Sequence, residues 1–367
     1  MTQRERLMTL LTGGCPDRVP WFGDLDYYAT AQIVRGERPD DFKTSGEYIK
    51  WHRDLGVGYY LKGRFPFSTI IENCNVIEWW EGDTRFRRIE TPKGVLREAW
   101  RWMPDLYTEG LIEHLMKSAE DIPAMIWLYE NTHYEPDYIF PCRRSGAIAD
   151  CGILLCYIPK SPFMHLATMD AGIDTVVMTA TAAPDAFDEL IEVMTAAHDR
   201  AAHIAVDSFA EAMMIPEKLS AEMIGKEYFE KYIRGYQEKW IRCIAEAGKY
   251  SFIHMNGSLD GLLRQVCSTG VTVLEALMPE PVGDVAIEDF ASYAGESKTV
   301  LWGGIPGIYF TPCVNEAKFE RHVRHVLSVM RSEPRYVLGV ADQVPPDGLE
   351  RRIRHVGELV EEYGDYA

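Results

Sequence analysis

The sequence predicts an α/β fold: a TIM (β/α)8 barrel with an antiparallel β insertion after the second strand. Three observations carry that expectation. Short apolar runs rich in β-branched or aromatic residues recur eight times along the 367 residues. Most are followed by a stretch of helical periodicity, the pattern of parallel strands joined by crossover helices. No Gly-x-Gly-x-x-Gly or P-loop follows any of these strands, which counts against the runner-up, an open doubly wound sheet. Barrels of this length fold as one unit, and no linker rich in Pro, Gly and Ser divides the chain. Residues 1–367 are therefore expected to form a single domain.

Thr2–Leu11 has helical spacing and stops at Gly13-Gly14; the run from Arg18 to Asp24 is the first strand, ending in acid. Ser45–Leu55 is a helix, and Gly56–Leu61 a second strand ending at Lys62. Residues 76–102 then alternate apolar and polar, with turns at Gly82-Asp83 and Pro92-Lys93-Gly94: an antiparallel meander. Its four tryptophans either pack one face of a small sheet or wall an aromatic pocket. Helices are expected near Leu111–Met116 and Asp121–Tyr129, and a third strand at Ile153–Ile158, ending at Lys160. Pro184–His198 is an amphipathic helix, Ile204–Ser208 the fourth strand, and an acidic loop with Glu211, Glu217 and Glu222 follows. Lys226–Ala247 is a long helix. Tyr250–Ile253 and Val271–Leu274 are strands five and six, with a helical segment, Gly261–Val266, between them. Val300–Trp302 and Tyr336–Leu338 complete the eight, with helices at Glu316–Arg331 and Gly348–Tyr363.

A formal charge of −18 argues against nucleic acid and anionic membrane surfaces, which call for clustered Lys and Arg. The eight cysteines show no CxxC spacing, and the longest apolar runs fall well short of the ~20 residues of a membrane helix. These features, with no signal sequence, predict a cytoplasmic protein with free thiols.

In a parallel barrel, chemistry collects at the carboxyl ends of the strands. His254 follows strand five and Glu275 strand six, with Asn256-Gly257 just beyond the histidine. An imidazole and a carboxylate on adjacent rims can share a cation or a proton. With zinc, the third ligand would be Glu217, Glu222 or Asp342; without it, Glu275 would orient His254 as a base. Glu217 and Glu222 lie just before a helix and could instead cap it. Asp24 and Asp26 could bind substrate hydroxyls. Lys62, Lys160, Arg64 and Arg143-Arg144 are cations that could answer an anionic substrate, and Gly303-Gly304 allows close backbone approach or a tight turn.

The opening Arg4-Glu-Arg6, Gly14 and Pro16-Asp17-Arg18-Val19-Pro20 resembles the start of the uroporphyrinogen decarboxylase superfamily. The segments His254-Met-Asn-Gly257, Leu301-Trp-Gly-Gly-Ile-Pro306, and the closing Gly339, Pro345-Pro346 and Gly364 extend the resemblance over nearly the whole chain. It implies a TIM barrel that is either a decarboxylase or a corrinoid-linked methyltransferase. The decarboxylases carry an arginine-rich stretch after the first strand, where this chain reads Phe22-Gly-Asp-Leu-Asp-Tyr-Tyr28. Their histidine after strand eight is missing from Gly339-Val-Ala-Asp342. Methyltransferases acting on coenzyme M bind zinc through His-x-Cys and a later Cys; Asn256 and Val340 stand at those cysteine places.

What the resemblance then implies is a substrate-side methyltransferase. It would demethylate a small methoxylated, aromatic substrate and pass the methyl group to the cobalt of a corrinoid protein; a decarboxylase acting on a carboxylated substrate is the alternative. His254 and Glu275 would be catalytic. Asn256, Asp342, Asp24, Tyr27, Tyr28 and Trp302 would bind substrate, and zinc would sit on His254 and Glu275 with Glu217 or Glu222. A corrinoid-binding protein is the implied partner, and a homodimer is one assembly open to the chain.

Overall fold

The computed structural model describes residues 1–60 and 64–366; Lys62 lies outside the described residues. Its centre is a ring of parallel strands. Seven run side by side in the order Trp21–Phe22, Tyr336–Ala341, Val300–Pro306, Val273–Leu277, Tyr250–Met255, Ala212–Leu219 and Leu155–Tyr157. The remaining step passes from Gly152–Ile153 to Tyr59–Tyr60, which pair in parallel, and returns to Phe22 through a bridge to Gly58. This is a TIM-like α/β barrel, with the third strand broken at Leu154.

Two layers of packing follow from strand alternation. Side chains such as Phe22, Tyr60, Phe252, Val273, Trp302 and Val337 fill the barrel and form one buried cluster. Leu7 and Leu10 of the first helix, Gln3–Leu11, join that cluster. Arg4 on the same helix bonds Glu211 and the Gly152 carbonyl at the starts of strands four and three, so the helix stops the amino-terminal mouth. A Thr2–Glu5 capping box begins that helix. The outward-facing side chains meet the amphipathic helices in a larger cluster.

Between the second and third strands lie two antiparallel sheets. One pairs Phe67–Ile71 with Thr132–Pro136. The other is a four-stranded meander of Asn75–Glu81, Thr84–Thr91, Gly94–Met103 and Thr108–Glu113. The expected helix near Leu111–Met116 is therefore replaced by the meander's last strand, whose alternation over Thr108–Glu113 pairs with residues 99–103.

The fourth strand also differs from expectation. Ile204–Val206 is the last turn of a helix, Pro184–Val206, because it continues a stripe of buried residues through Met194, Ala197, Ala201 and Ala205. The strand is Ala212–Leu219, a run led by methionines and interrupted by Pro216, so it carries little β signal. Helical spacing outweighed a short β-branched run.

The glycines Gly303-Gly304 are neither a turn nor a ligand cradle. A Cβ on Gly304, at φ +106°, would stand 2.1 Å from the hydroxyl oxygen of Tyr336, itself bonded to the Gly303 carbonyl at 2.7 Å. They let strand seven sit close against its neighbours.

Candidate active site

Strands five and six are in register so that His254 lies directly opposite Glu275. Both side chains therefore point the same way, into the top of the barrel. Glu275 Oε2 lies 2.5 Å from His254 Nδ1, and its other oxygen accepts from the Tyr60 hydroxyl at 2.9 Å. Glu275 has no exposed surface and His254 only 4%. A carboxylate so placed fixes the ring's orientation and makes Nδ1 the protonated nitrogen. The other nitrogen, Nε2, faces Asp342 Oδ1 at 3.7 Å.

Tyr60 completes the constellation. Burial pushes its phenol well above the ordinary range, and the charges of Glu275 and Asp24 push it further, so it stays a hydrogen-bond donor. The Trp302 ring lies 4.9 Å from that of Tyr60, and also packs on Phe22 and Phe252. Trp302 is thus the floor that supports Tyr60, not a wall of the substrate space.

That space is a cavity of about 590 Å³ lined by His254, Asp342 and Gln343 on one side and by aromatic and aliphatic groups elsewhere, among them Phe65, Phe67, Tyr134 and Tyr157. Its size lies within the range of small-molecule sites. The antiparallel sheets reach it through Phe67, Thr69, Ile71, Arg87 and Ile89, whereas the four tryptophans of residues 76–102 do not line it. Trp79 instead stacks on Phe86 at 5.2 Å.

The far wall holds a second polar cluster. Tyr129 donates to Asp170 at 2.6 Å, and His165 Nε2 stands 3.6 Å from the same carboxylate. Burial works against the charge on Asp170, yet His165 and Tyr129 hold it below the usual carboxylate range. His198, driven down to about 3 chiefly by burial, is neutral and bonds the Lys160 carbonyl at 2.9 Å. Lys160 itself is pulled down to about 8, mainly by burial; Glu217 opposes the shift and Lys218 adds to it.

Other residues expected at the site fall elsewhere. Glu217 lies in strand four, fully buried, where it accepts from the Ser161 amide and hydroxyl and from Gln237. Burial raises its proton affinity. Glu222 is exposed in the first turn of the helix Ala221–Tyr228. Neither joins His254 and Glu275. No group of three or more His, Cys, Asp and Glu side chains with the spacing of a metal site occurs among the described residues.

Asn256 bonds the Leu219 carbonyl through its backbone and does not line the cavity. Tyr27 donates to the Leu106 carbonyl, and Tyr28 is buried against Trp51 in the helical layer. Asp24 and Asp26 line a smaller pocket of about 180 Å³ with Lys43, Tyr60 and Arg64, separate from the cavity at His254. Arg144 is buried and donates to the Ser45 carbonyl at 2.6 Å. The residues that the sequence reading missed are Tyr60, Arg87, Tyr129, His165, Asp170 and Lys218. Only the tyrosine pair at the end of strand two carried a local signal.

Fold and site together define a parallel α/β barrel with a buried His254–Glu275 pair at the carboxyl ends of its strands. The chain belongs to the uroporphyrinogen decarboxylase family, whose profile matches residues 155–363, more than half of its length. Among solved structures it is similar to a methyltransferase from Methanosarcina mazei, at 13% identity and a TM-score of 0.64 over 99% of both chains, a likeness of fold. No curated protein matches it. No helix among the described residues is long and apolar enough to cross a membrane.

Proposed function

We propose that the protein is a methyltransferase that removes the methyl group from a small methoxylated aromatic compound and passes it to a corrinoid held by a partner protein. The observation that carries the reading is His254 with a carboxylate at each nitrogen, opening on a cavity walled largely by aromatic side chains. Breaking an aryl methyl ether leaves the bonding pair on the phenolic oxygen, which needs a proton. His254 Nε2 is the atom suited to give it. Glu275 steadies the ring as it cycles between protonated and neutral forms, Tyr60 keeps Glu275 in place, and Asp342 faces the donating nitrogen. A corrinoid carried by a partner protein would supply, when docked at this mouth, the electron pair that takes the methyl carbon.

Zinc does not fit this donor set. Nδ1 of His254 is taken by Glu275, Glu217 is bonded to Ser161 and Gln237, and Glu222 points to solvent. His254 Nε2 and Asp342 alone fall short of the three protein ligands of a catalytic zinc site. Ether activation is therefore assigned to proton donation.

The test is anaerobic incubation with methoxyarenes and cob(I)alamin, reading methylcobalamin by absorbance and the phenol by mass spectrometry. Equimolar formation of both, lost in His254→Gln, supports the reading. Methoxyarenes left intact, with carbon dioxide released from an aryl acid without any corrinoid, would replace it with decarboxylation.

A further inference from the structure

Strand four loses register with strand five between Ile215 and Leu219, and within that bulge Lys218 adopts φ +57°. A bulge turns successive side chains to new directions, and a left-handed lysine is a strained way to end a strand. Here it separates two neighbours. Glu217 turns inward to Ser161 and Gln237, and Lys218 turns to the cavity, whose lining it shares with Lys160 from the end of strand three.

Both lysines line the cavity, and the charge of Lys218 adds to the burial that lowers the proton affinity of Lys160. Two like charges facing one aromatic cavity repel, while the buried Glu217 favours the charged form of Lys160 more strongly than Lys218 opposes it. Of the other charges around the cavity, Arg87 pairs with Glu98 at 2.7 Å, Asp170 is held by Tyr129 and His165, and Asp342 faces His254 Nε2 at 3.7 Å. In a chain with 56 acidic and 38 basic residues, two lysines from adjacent strand ends on one cavity wall are a selective feature.

We infer that Lys218 and Lys160 form an anion-binding pole, so that the substrate is an aromatic acid whose carboxylate sits on the lysines. This rests on the methyl-transfer reading for the identity of the methoxy group, but not for the binding of the acid. Lys160 also donates to the Pro216 carbonyl, which ties the cationic pole to the bulge.

Binding can be measured without turnover, by calorimetric titration of the full chain with 4-methoxybenzoate and 3,4-dimethoxybenzoate against their methyl esters. The acids are expected to bind at least tenfold more tightly than the esters, the effect of about one charge-assisted hydrogen bond. Lys218→Asn, which accepts left-handed backbone, and Lys160→Met are each expected to weaken the acids about tenfold and leave the esters unchanged. Equal binding of acids and esters, no binding of either acid, or acid affinity unchanged in both variants overturns the inference. Acid-selective binding with no methyl transfer to cob(I)alamin upholds the lysine pole and refutes the reaction. Methyl transfer with equal binding of acids and esters does the reverse.

Discussion

Replacing Glu275 by Gln tests the centre at its most buried atom pair. The carboxylate is fully enclosed and accepts two bonds, from Tyr60 at 2.9 Å and from His254 at 2.5 Å. Hydrogen bonds to a charged group contribute about 1.5–3 kcal/mol each, and neutral ones about 0.5–1.5 kcal/mol. The amide keeps the shape and one acceptor, so the folded state should lose about 2–3 kcal/mol. Glu275→Ala leaves both donors unpaired and should lose about 3–5 kcal/mol. The chemical effect is larger. An amide NH2 opposite Nδ1 favours the tautomer with its proton on Nε2 and opposes a proton at both nitrogens. Donation to a leaving oxygen should slow by about 10²–10⁴-fold. Urea unfolding gives the stability, and nitrogen-15 NMR of the histidine rings gives the tautomer. Unchanged stability together with an unchanged His254 ring spectrum in Glu275→Gln would refute the coupling argued here.

Tyr60→Phe removes one donor to Glu275 and should cost about 1.5–3 kcal/mol by urea unfolding, with a smaller effect on turnover than Glu275→Gln; a larger one would make Tyr60 a direct participant. Lys160 is depressed to about 8 in the fold, so its charge is present below that pH and lost above it. KM for an aryl acid should therefore climb as pH rises through about 8, and an initial-rate pH series checks it; the climb should be absent in Lys160→Met. For stability the sign is opposite to that of a salt-bridged lysine. The unfolded chain binds this proton more tightly, so the group opposes folding below about 8, and the opposition fades as pH rises towards the ordinary lysine value. Urea midpoints of wild type and Lys160→Met should converge at high pH. Gly304→Ala forces a methyl against the buried Tyr336 hydroxyl and should destabilise by about 2–3 kcal/mol, read from the same unfolding curves.

Much of the barrel was legible because period is a strong signal. Tyr250–Met255, Val273–Leu277, Val300–Pro306 and Tyr336–Ala341 stand out as short β-rich runs, and the helix Glu316–Met330 shows one buried stripe. Strand four was hidden for a physical reason. Its residues are buried by neighbours on both faces, so methionine and alanine serve as well there as valine, and Pro216 sits where the ladder bulges. The preceding helix ends in Ile204-Ala205-Val206, which imitates a strand when read without the twenty residues before it.

The site was legible in its first pair and opaque beyond it. His254 and Glu275 could be paired because adjacent parallel strands in register bring equivalent ends together, and register here follows from the barrel itself. Tyr129, His165 and Lys218 reach the cavity, and Tyr60 reaches Glu275, from parts of the chain far from residues 254–275, and nothing in spacing announces such a meeting. The same reason separates Glu217 from Lys218. Read as a loop, Glu217 is one candidate ligand or a helix cap and Lys218 carries no signal; the bulge buries the carboxylate against Ser161 and turns the lysine to the cavity. Lys218 at φ +57°, Ala276 at +73° and Asp342 at +75° end strands four, six and eight in this strained conformation. Two of those three side chains line the cavity. Backbone strain at alternate strand ends thus marks the mouth independently of residue chemistry, and it is visible only after the barrel has closed.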